Sequence, residues 1–267
     1  MSQSHGWVFE VPARETGLVK PEPLTGMGRF DHEAVCVDPG TGVVYLTEDR
    51  SDGLFYRFIP TTPGRLAEGG CLQAMALKDA PSADTSNRTQ RLWAVGDWRE
   101  VEWIDMEDVH SPNDDLRMRG HAAGAALVSR GEGVFWGEGE LYLTATSGGP
   151  IERGQILRYR PAGEDGGRVQ LFVESTGEKA LNMGDNLTVA PWGHLVVCED
   201  NYSPTIRNHV KGVDAQGRLY TIARNVMEGN SEFCGAVFSP DGGTLFVNIQ
   251  NPGVTYAITG PWGRISA

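Results

Sequence analysis

The chain has 267 residues, 35 of them glycine and 15 proline, and a formal net charge of −12. Its acid excess would repel a phosphate backbone, which excludes nucleic acid as a partner, and no apolar run reaches the ~18–20 residues of a membrane-crossing helix. The start, MSQSHGWVFEVP, lacks the basic and apolar regions of a signal peptide, so the chain as given reads as cytoplasmic or as a piece of a longer one.

In chain order, GWVFEVP (6–12) and KPEPLTGMG (20–28) read as the third and fourth strands of a four-stranded unit that lacks its first two. Then comes a strand–turn–strand unit, DHEAVCVDPGTGVVYLTED (31–49), with GLFYRFIP as a third strand and CLQAMAL as a fourth. The pattern recurs in GEGVFWGEGELYLTAT (131–146), followed by GQILRYRP and RVQLFVES. It recurs again in GDNLTVAPWGHLVVCED (184–200) with GRLYTIAR, and in SEFCGAVFSPDGGTLFVNIQ (231–250) with GVTYAITG, which has no clear fourth strand. Residues 80–124 are irregular, with polar runs around the strand candidate WREVEWIDM, and read as a divergent unit with long loops; HAAGAALVS after them reads as a short helix or strand.

Alternating strands joined by DPGTG, APWG or SPDGG turns at a period of about 50 residues describe propeller blades. The fold expected is all-β: one β-propeller domain over 1–267, with about five to six four-stranded blades and an N-terminus that starts mid-blade. Either the two ends close the ring together, or the chain starts partway through a larger propeller and a partner chain completes it.

Lining up the turns puts Glu33, Glu132 and Asp185 at equivalent positions. Glu232 falls two residues earlier, on the same strand face because side chains alternate. Innermost propeller strands line one channel, so these carboxylates would converge there and repel one another unless a cation neutralised them. Carboxylate oxygens suit Ca²⁺, and Fe³⁺ is similarly hard. Two second strands also end in paired acids, Glu48–Asp49 and Glu199–Asp200. Arg130, two residues before Glu132, shares its face and would either hold an oxyanion by its planar fork or bridge a neighbouring carboxylate. Asp38 and Asp241 sit in ordinary hairpin turns, and His32 and His194 read as solvent-facing or hydrogen-bonded. Cys36, Cys71, Cys198 and Cys234 form no CxxC pattern and read mainly as small apolar residues. GxSxG, HExxH and glycine-rich phosphate loops are absent from the sequence, which leaves serine-nucleophile and zincin chemistry without support.

As a set, GWVFEVP, GRFDHEAVCVDPGTGVVYLTEDRSDGLFYRFIP, RGEGVFWGEGELYLTAT, DNLTVAPWGHLVVCEDN and SEFCGAVFSPDGGTLFVNIQNPGVTYAITGPW resemble the PhoX family of alkaline phosphatases. The resemblance implies a β-propeller whose axial site holds several Ca²⁺ and Fe³⁺ ions and hydrolyses small phosphate monoesters, in proteins typically exported to the periplasm or cell surface. It implies Glu33 (in His32–Glu33), Glu132 (in Arg130–Gly133) and Asp185 (in Asp185–Asn186) as metal ligands, with Arg130 on the substrate phosphate. Glu199 and Glu232 match further acidic ligand positions. The family's members carry a substantial N-terminal half ahead of the GWVFEVP segment, with further blades and ligands, which this chain does not show. Two alternatives therefore stand beside the phosphatase: a non-catalytic calcium-binding propeller scaffold, and another metal-dependent propeller hydrolase such as a lactonase, at which Asn186 hints.

Overall fold

A computed structural model describes residues 5–163 and 166–265. Strands β1 (His32–Val37), β2 (Val44–Glu48), β3 (Phe55–Pro60) and β4 (Gly70–Leu77) form the first antiparallel blade. Its first turn is built by Asp38, whose carboxylate accepts the Gly40 N–H and the Thr41 hydroxyl, both at 2.8 Å, as an Asx turn does. After the lone strand β5 (Trp98–Asp105) and helix α1 (Leu116–Ala122), the second blade comprises β6 (Gly131–Trp136), β7 (Leu141–Ala145), β8 (Gln155–Pro161) and β9 (Gly167–Glu174). The third blade is β10 (Gly184–Val189), β11 (Leu195–Glu199), β12 (His209–Val213) and β13 (Leu219–Arg224). The last has three strands, β14 (Phe233–Phe238), β15 (Thr244–Ile249) and β16 (Val254–Thr259). The described residues thus form an all-β propeller arrangement, supplying four of the five to six blades expected.

Three segments differ from the sequence expectation. GRLYTIAR (217–224), expected as a third strand, supplies the fourth strand β13, and the third place is taken by β12, between β11 and β13. Residues 80–124 form no blade. They contribute the single strand β5, which pairs with β4 on one side and β9 on the other and so joins two blades into one nine-stranded sheet. Only Trp98–Asp105 alternates well enough to pair; the flanking polar runs make turns, with the Asn87 side chain accepting the Leu92 and Trp93 N–H groups. At the N-terminus, the expected strand pair is reduced to one bridge between Phe9 and Pro23. Pro12, Pro21 and Pro23 lack the N–H donors a ladder needs. Instead Leu24, Met27 and Phe30 close over the outer face of the first blade, against Leu46, Tyr56 and Leu116.

The core lies between blades. Tyr45 and Phe55 of the first meet Leu143, Leu157 and Tyr159 of the second, with Trp103 of β5 alongside. Tyr142, Ile156 and Phe172 then meet Leu187, Val197 and Val213, and Val196, Cys198 and Val210 meet Phe233, Leu245 and Val247. Each second strand thus turns alternate side chains toward the next blade, Tyr45 from β2, Tyr142 from β7 and Val196 with Cys198 from β11. Leu157→Ala, fully buried in the first of these seams, is expected to lower unfolding stability by about 2–5 kcal/mol, read by denaturant titration. The four cysteines are free; Cys36 and Cys198 are buried as expected, whereas Cys71 is exposed and Cys234 half-buried. Among the described residues no helix is long and apolar enough to cross a membrane.

Candidate metal and phosphate site

The innermost strands β1, β6, β10 and β14 pack side by side in that order. All four carry a register shift near their start: between His32 and Val35, Gly131 and Val134, Gly184 and Leu187, and Cys234 and Val237. A bulge bends its strand and re-aims the side chain within it. Glu33, Glu132 and Asp185 sit in the first three bulges, and Glu232 just precedes β14.

Two carboxylate groups result. Glu33, Asp49 and Glu132 bring oxygens within 4.8 Å of one another, as do Asp185, Asp200 and Glu232. The two lie close enough that each feels the other's charge. Burial first, then Asp185, Asp49 and Glu33, hold the Glu132 carboxyl well above the usual carboxylate range. Asp185 and Glu232 are raised in the same way, by burial and then chiefly by Asp200.

Backbone positions are pinned from the neighbouring blade. The Thr47 hydroxyl donates to the Glu132 carbonyl (2.5 Å) and the Thr144 hydroxyl to the Asp185 carbonyl (2.6 Å). Thr47 and Thr144 are the matched fourth residues of β2 and β7. Gly133 lets this contact close: a Cβ there would lie 2.7 Å from the Asp185 carbonyl oxygen.

Arg130 adopts a left-handed backbone (φ 53°). Its guanidinium holds Asp49 (Nε to Oδ1, 2.8 Å) and Glu132 (2.6 Å), which is the carboxylate bridge among its two sequence readings. Burial works against the charged guanidinium, but Asp49 and Glu132 outweigh it and raise the Arg130 pKa. Its charge also acts on Asp185 and Tyr202.

Of the residues expected from sequence, Glu33, Glu132, Asp185, Glu232 and Arg130 come together. Glu199 does not join either group: fully buried, it accepts the Asn182 N–H (2.9 Å), the His209 N–H (2.9 Å) and the His209 ring (Nδ1, 2.8 Å). Its counterpart Glu48 likewise accepts Leu54 N–H and the Tyr56 hydroxyl. Strand alternation turns each Glu into its blade and the following Asp toward the axis. Asp49 and Asp200 are therefore the ligand-type residues passed over, and the doubled Glu–Asp pair was their only sequence signal. His32 turns away to the Gly28 carbonyl (3.0 Å) and stacks on Phe30, and burial lowers its pKa to about 4. His194 pairs with the Tyr220 hydroxyl (3.0 Å).

Every donor in the two groups is a carboxylate oxygen, and Asp185 Oδ1 is buried without a hydrogen-bond partner. An oxygen-liganded hard cation fits that donor set. Beside the first group a cavity of about 440 Å³ is lined by Trp7, His32, Glu33 and Asp49. Beside the second, one of about 460 Å³ is lined by Asp200, Tyr202, Asn230 and Glu232, among others.

The family described as alkaline phosphatase PhoX matches residues 1–253. The chain belongs to the PhoX family. Its PhoX fold is seen again in the solved structure of Pseudomonas fluorescens PhoX in complex with vanadate, a transition state analogue, at a TM-score of 0.72 and 23% identity. That match covers 92% of this chain and 53% of the other, so the chain spans about half the length of the solved PhoX protein. A gluconolactonase from Xanthomonas campestris aligns more loosely, with a TM-score of 0.40, 11% identity, and coverage of 86% and 72%. A search of curated proteins found no match.

Proposed function

We propose that the chain is a metal-dependent phosphomonoesterase acting where Arg130 meets the two carboxylate groups. The observation that carries this reading is six converging carboxylates with one guanidinium among them. Family membership supports it, as does the vanadate held by the Pseudomonas fluorescens relative.

Glu33, Asp49 and Glu132 would hold one hard cation and Asp185, Asp200 and Glu232 another, with Ca²⁺ and Fe³⁺ the ions proposed. Bound there, such cations supply the positive charge that polarises a phosphoryl group and activates an oxygen nucleophile. The chain's own part is positional. Thr47 and Thr144 fix the backbones of Glu132 and Asp185, and the blade seams hold the strands that carry both groups side by side. Once Asp49 and Glu132 are engaged as ligands, Arg130 is released to hold two phosphoryl oxygens by its planar fork. Tyr202, its hydroxyl on Asp200 (2.7 Å), fixes that carboxylate's orientation.

Purified chain with added Ca²⁺ and Fe³⁺ is expected to release nitrophenol from p-nitrophenyl phosphate, and Glu132→Gln to abolish the release. Normal turnover by that variant would overturn the site assignment. A second reading is a calcium-binding propeller without catalysis, which the same two carboxylate groups would support. It predicts that Ca²⁺ raises the melting temperature while no ester is hydrolysed.

A further inference from the structure

We infer that the cleft beside Asp200 and Glu232 is the binding place for the alcohol half of the substrate, and that it takes a neutral, hydroxyl-rich alcohol such as a sugar or polyol. This rests on the phosphomonoesterase reading, because it places the phosphoryl end at the carboxylate groups. The cleft opens directly from the second group, since Asp200 and Glu232 are part of its wall. Around it stand neutral hydrogen-bonding side chains, Asn201, Ser203, Asn230, Ser231, Gln250 and Asn251. Among the described residues no lysine or arginine lines it, and Glu228 adds a further carboxylate.

That chemistry selects. An alcohol carrying a second phosphate would bring like charge against Glu228 with no lysine or arginine on the wall to answer it, and like charges brought together without water are costly. An aliphatic chain would cover these polar groups while offering them no hydrogen bond in place of the water it displaces. Hydroxyl groups satisfy both conditions.

Tyr202 supplies the remaining element. It is 74% exposed although aromatic, and its hydroxyl is anchored on Asp200. Tyr202 lines both this cleft and a second cavity of about 310 Å³. The loop holding it is fixed, not loose: Asn208 accepts the Asn201 N–H (2.8 Å), and the Asn230 side chain donates to the Ser203 (3.0 Å) and Ile206 (2.8 Å) carbonyls. A rigid, exposed aromatic face beside a polar cleft is a platform on which the C–H face of a sugar ring packs while its hydroxyls reach the amides. Tyr202 thus acts as a specificity-determining residue through its ring and as a positioning residue through its hydroxyl.

The test uses the full chain with Ca²⁺ and Fe³⁺ and four esters: glucose 6-phosphate, fructose 1,6-bisphosphate, phosphoethanolamine and ethyl phosphate. The expected order in kcat/KM places glucose 6-phosphate above the other three. Tyr202→Ala lowers the preference for glucose 6-phosphate over ethyl phosphate by about tenfold, and Tyr202→Phe restores most of it because the ring remains. A residue that merely supported Asp200 would move both esters together, and that result would overturn the inference. So would a preference for the bisphosphate or for phosphoethanolamine. Calorimetric titration of the calcium-loaded chain with glucose 6-phosphate separates the two layers. Binding weakened by Tyr202→Ala without turnover of any ester upholds the cleft and removes the phosphatase reading. Neither binding nor turnover of glucose 6-phosphate, with ethyl phosphate still hydrolysed, removes the cleft alone.

Discussion

Asp200→Asn is expected to weaken calcium binding by at least the 10–100-fold that follows loss of even an outer-shell partner, with little change in stability, whereas its neighbour Glu199→Gln does the reverse. Asp200 shares its group with Asp185 and Glu232, and an amide keeps the acceptor for the Tyr202 hydroxyl while removing the charge a cation would use. Glu199 sits with no exposed surface, and its two oxygens accept three donors from Asn182 and His209. A glutamine would turn an NH₂ toward one of those donors. At pH 8, above the value of about 7 to which burial raises Glu199, hydrogen bonds to this charged acceptor contribute about 1.5–3 kcal/mol, and a buried donor left without a partner costs a similar amount. The expected loss in unfolding free energy is therefore about 3 kcal/mol, with calcium affinity unchanged. Denaturant titration and calcium calorimetry on both variants check the pair. Intact binding in Asp200→Asn, or lost binding in a folded Glu199→Gln, would show the assignments to be inverted.

The blades were legible because their signals are local. Alternation over five or six residues and turns such as DPGTG decide a hairpin from neighbouring positions alone, and each hairpin built from those signals is present in the fold. What was not legible depends on pairing between distant segments. Trp98–Asp105 looked like the remnant of a blade, yet its edges are taken by β4 and β9, and β9 begins some 60 residues later, beyond reach of any local rule. The long interval between Glu33 and Glu132 is an insertion of β5, α1 and their turns, and the two blades on either side of it are neighbours in space.

The carboxylate positions divide the same way. Register alone located Glu33, Glu132, Asp185 and Glu232, although the bulges that aim the first three leave no mark in composition. At the Glu–Asp pairs, alternation says that one member faces the axis and the other the blade, without saying which. The choice is made by donors from elsewhere: the backbone of β12 and residue 182 claim Glu199, and residues 54 and 56 claim Glu48. The second blade carries Ala145–Thr146 at this place, so the repeat was too sparse to show the rule. Thr47 and Thr144 were passed over because a threonine in a strand is ordinary, and their role appears only once the next blade is beside them.

The metal-free chain is expected to lose stability as pH rises from about 5 to 8, and calcium to restore it most at the alkaline end. Burial pushes Glu48 and Glu199 up to about 7 from 4.5, and burial with mutual repulsion raises Glu33, Glu132, Asp185 and Glu232 as well. Between the ordinary carboxylate value and the raised one, the folded chain holds protons that the unfolded chain has released. Stability therefore falls with rising pH across that window, and it is fully present only below the unfolded values. Arg130 offsets part of the repulsion but answers only Asp49 and Glu132 directly. A cation bound at each group offsets the rest, and at pH 8 it competes with fewer protons for the same oxygens. At about a hundred times its dissociation constant, calcium would contribute about 2.7 kcal/mol, a rise of about 5–10 °C in melting temperature for a chain of this size. At pH 5 the rise is expected to be smaller, because protons already neutralise the carboxylates. Melting curves at both pH values, with and without calcium, check this directly. Glu132→Gln, which removes the most shifted of these groups, should flatten the metal-free curve. A metal-free melting temperature that climbs with pH, or a calcium shift larger at pH 5 than at pH 8, would mean that the carboxylates are not held together by the fold in the way their geometry indicates.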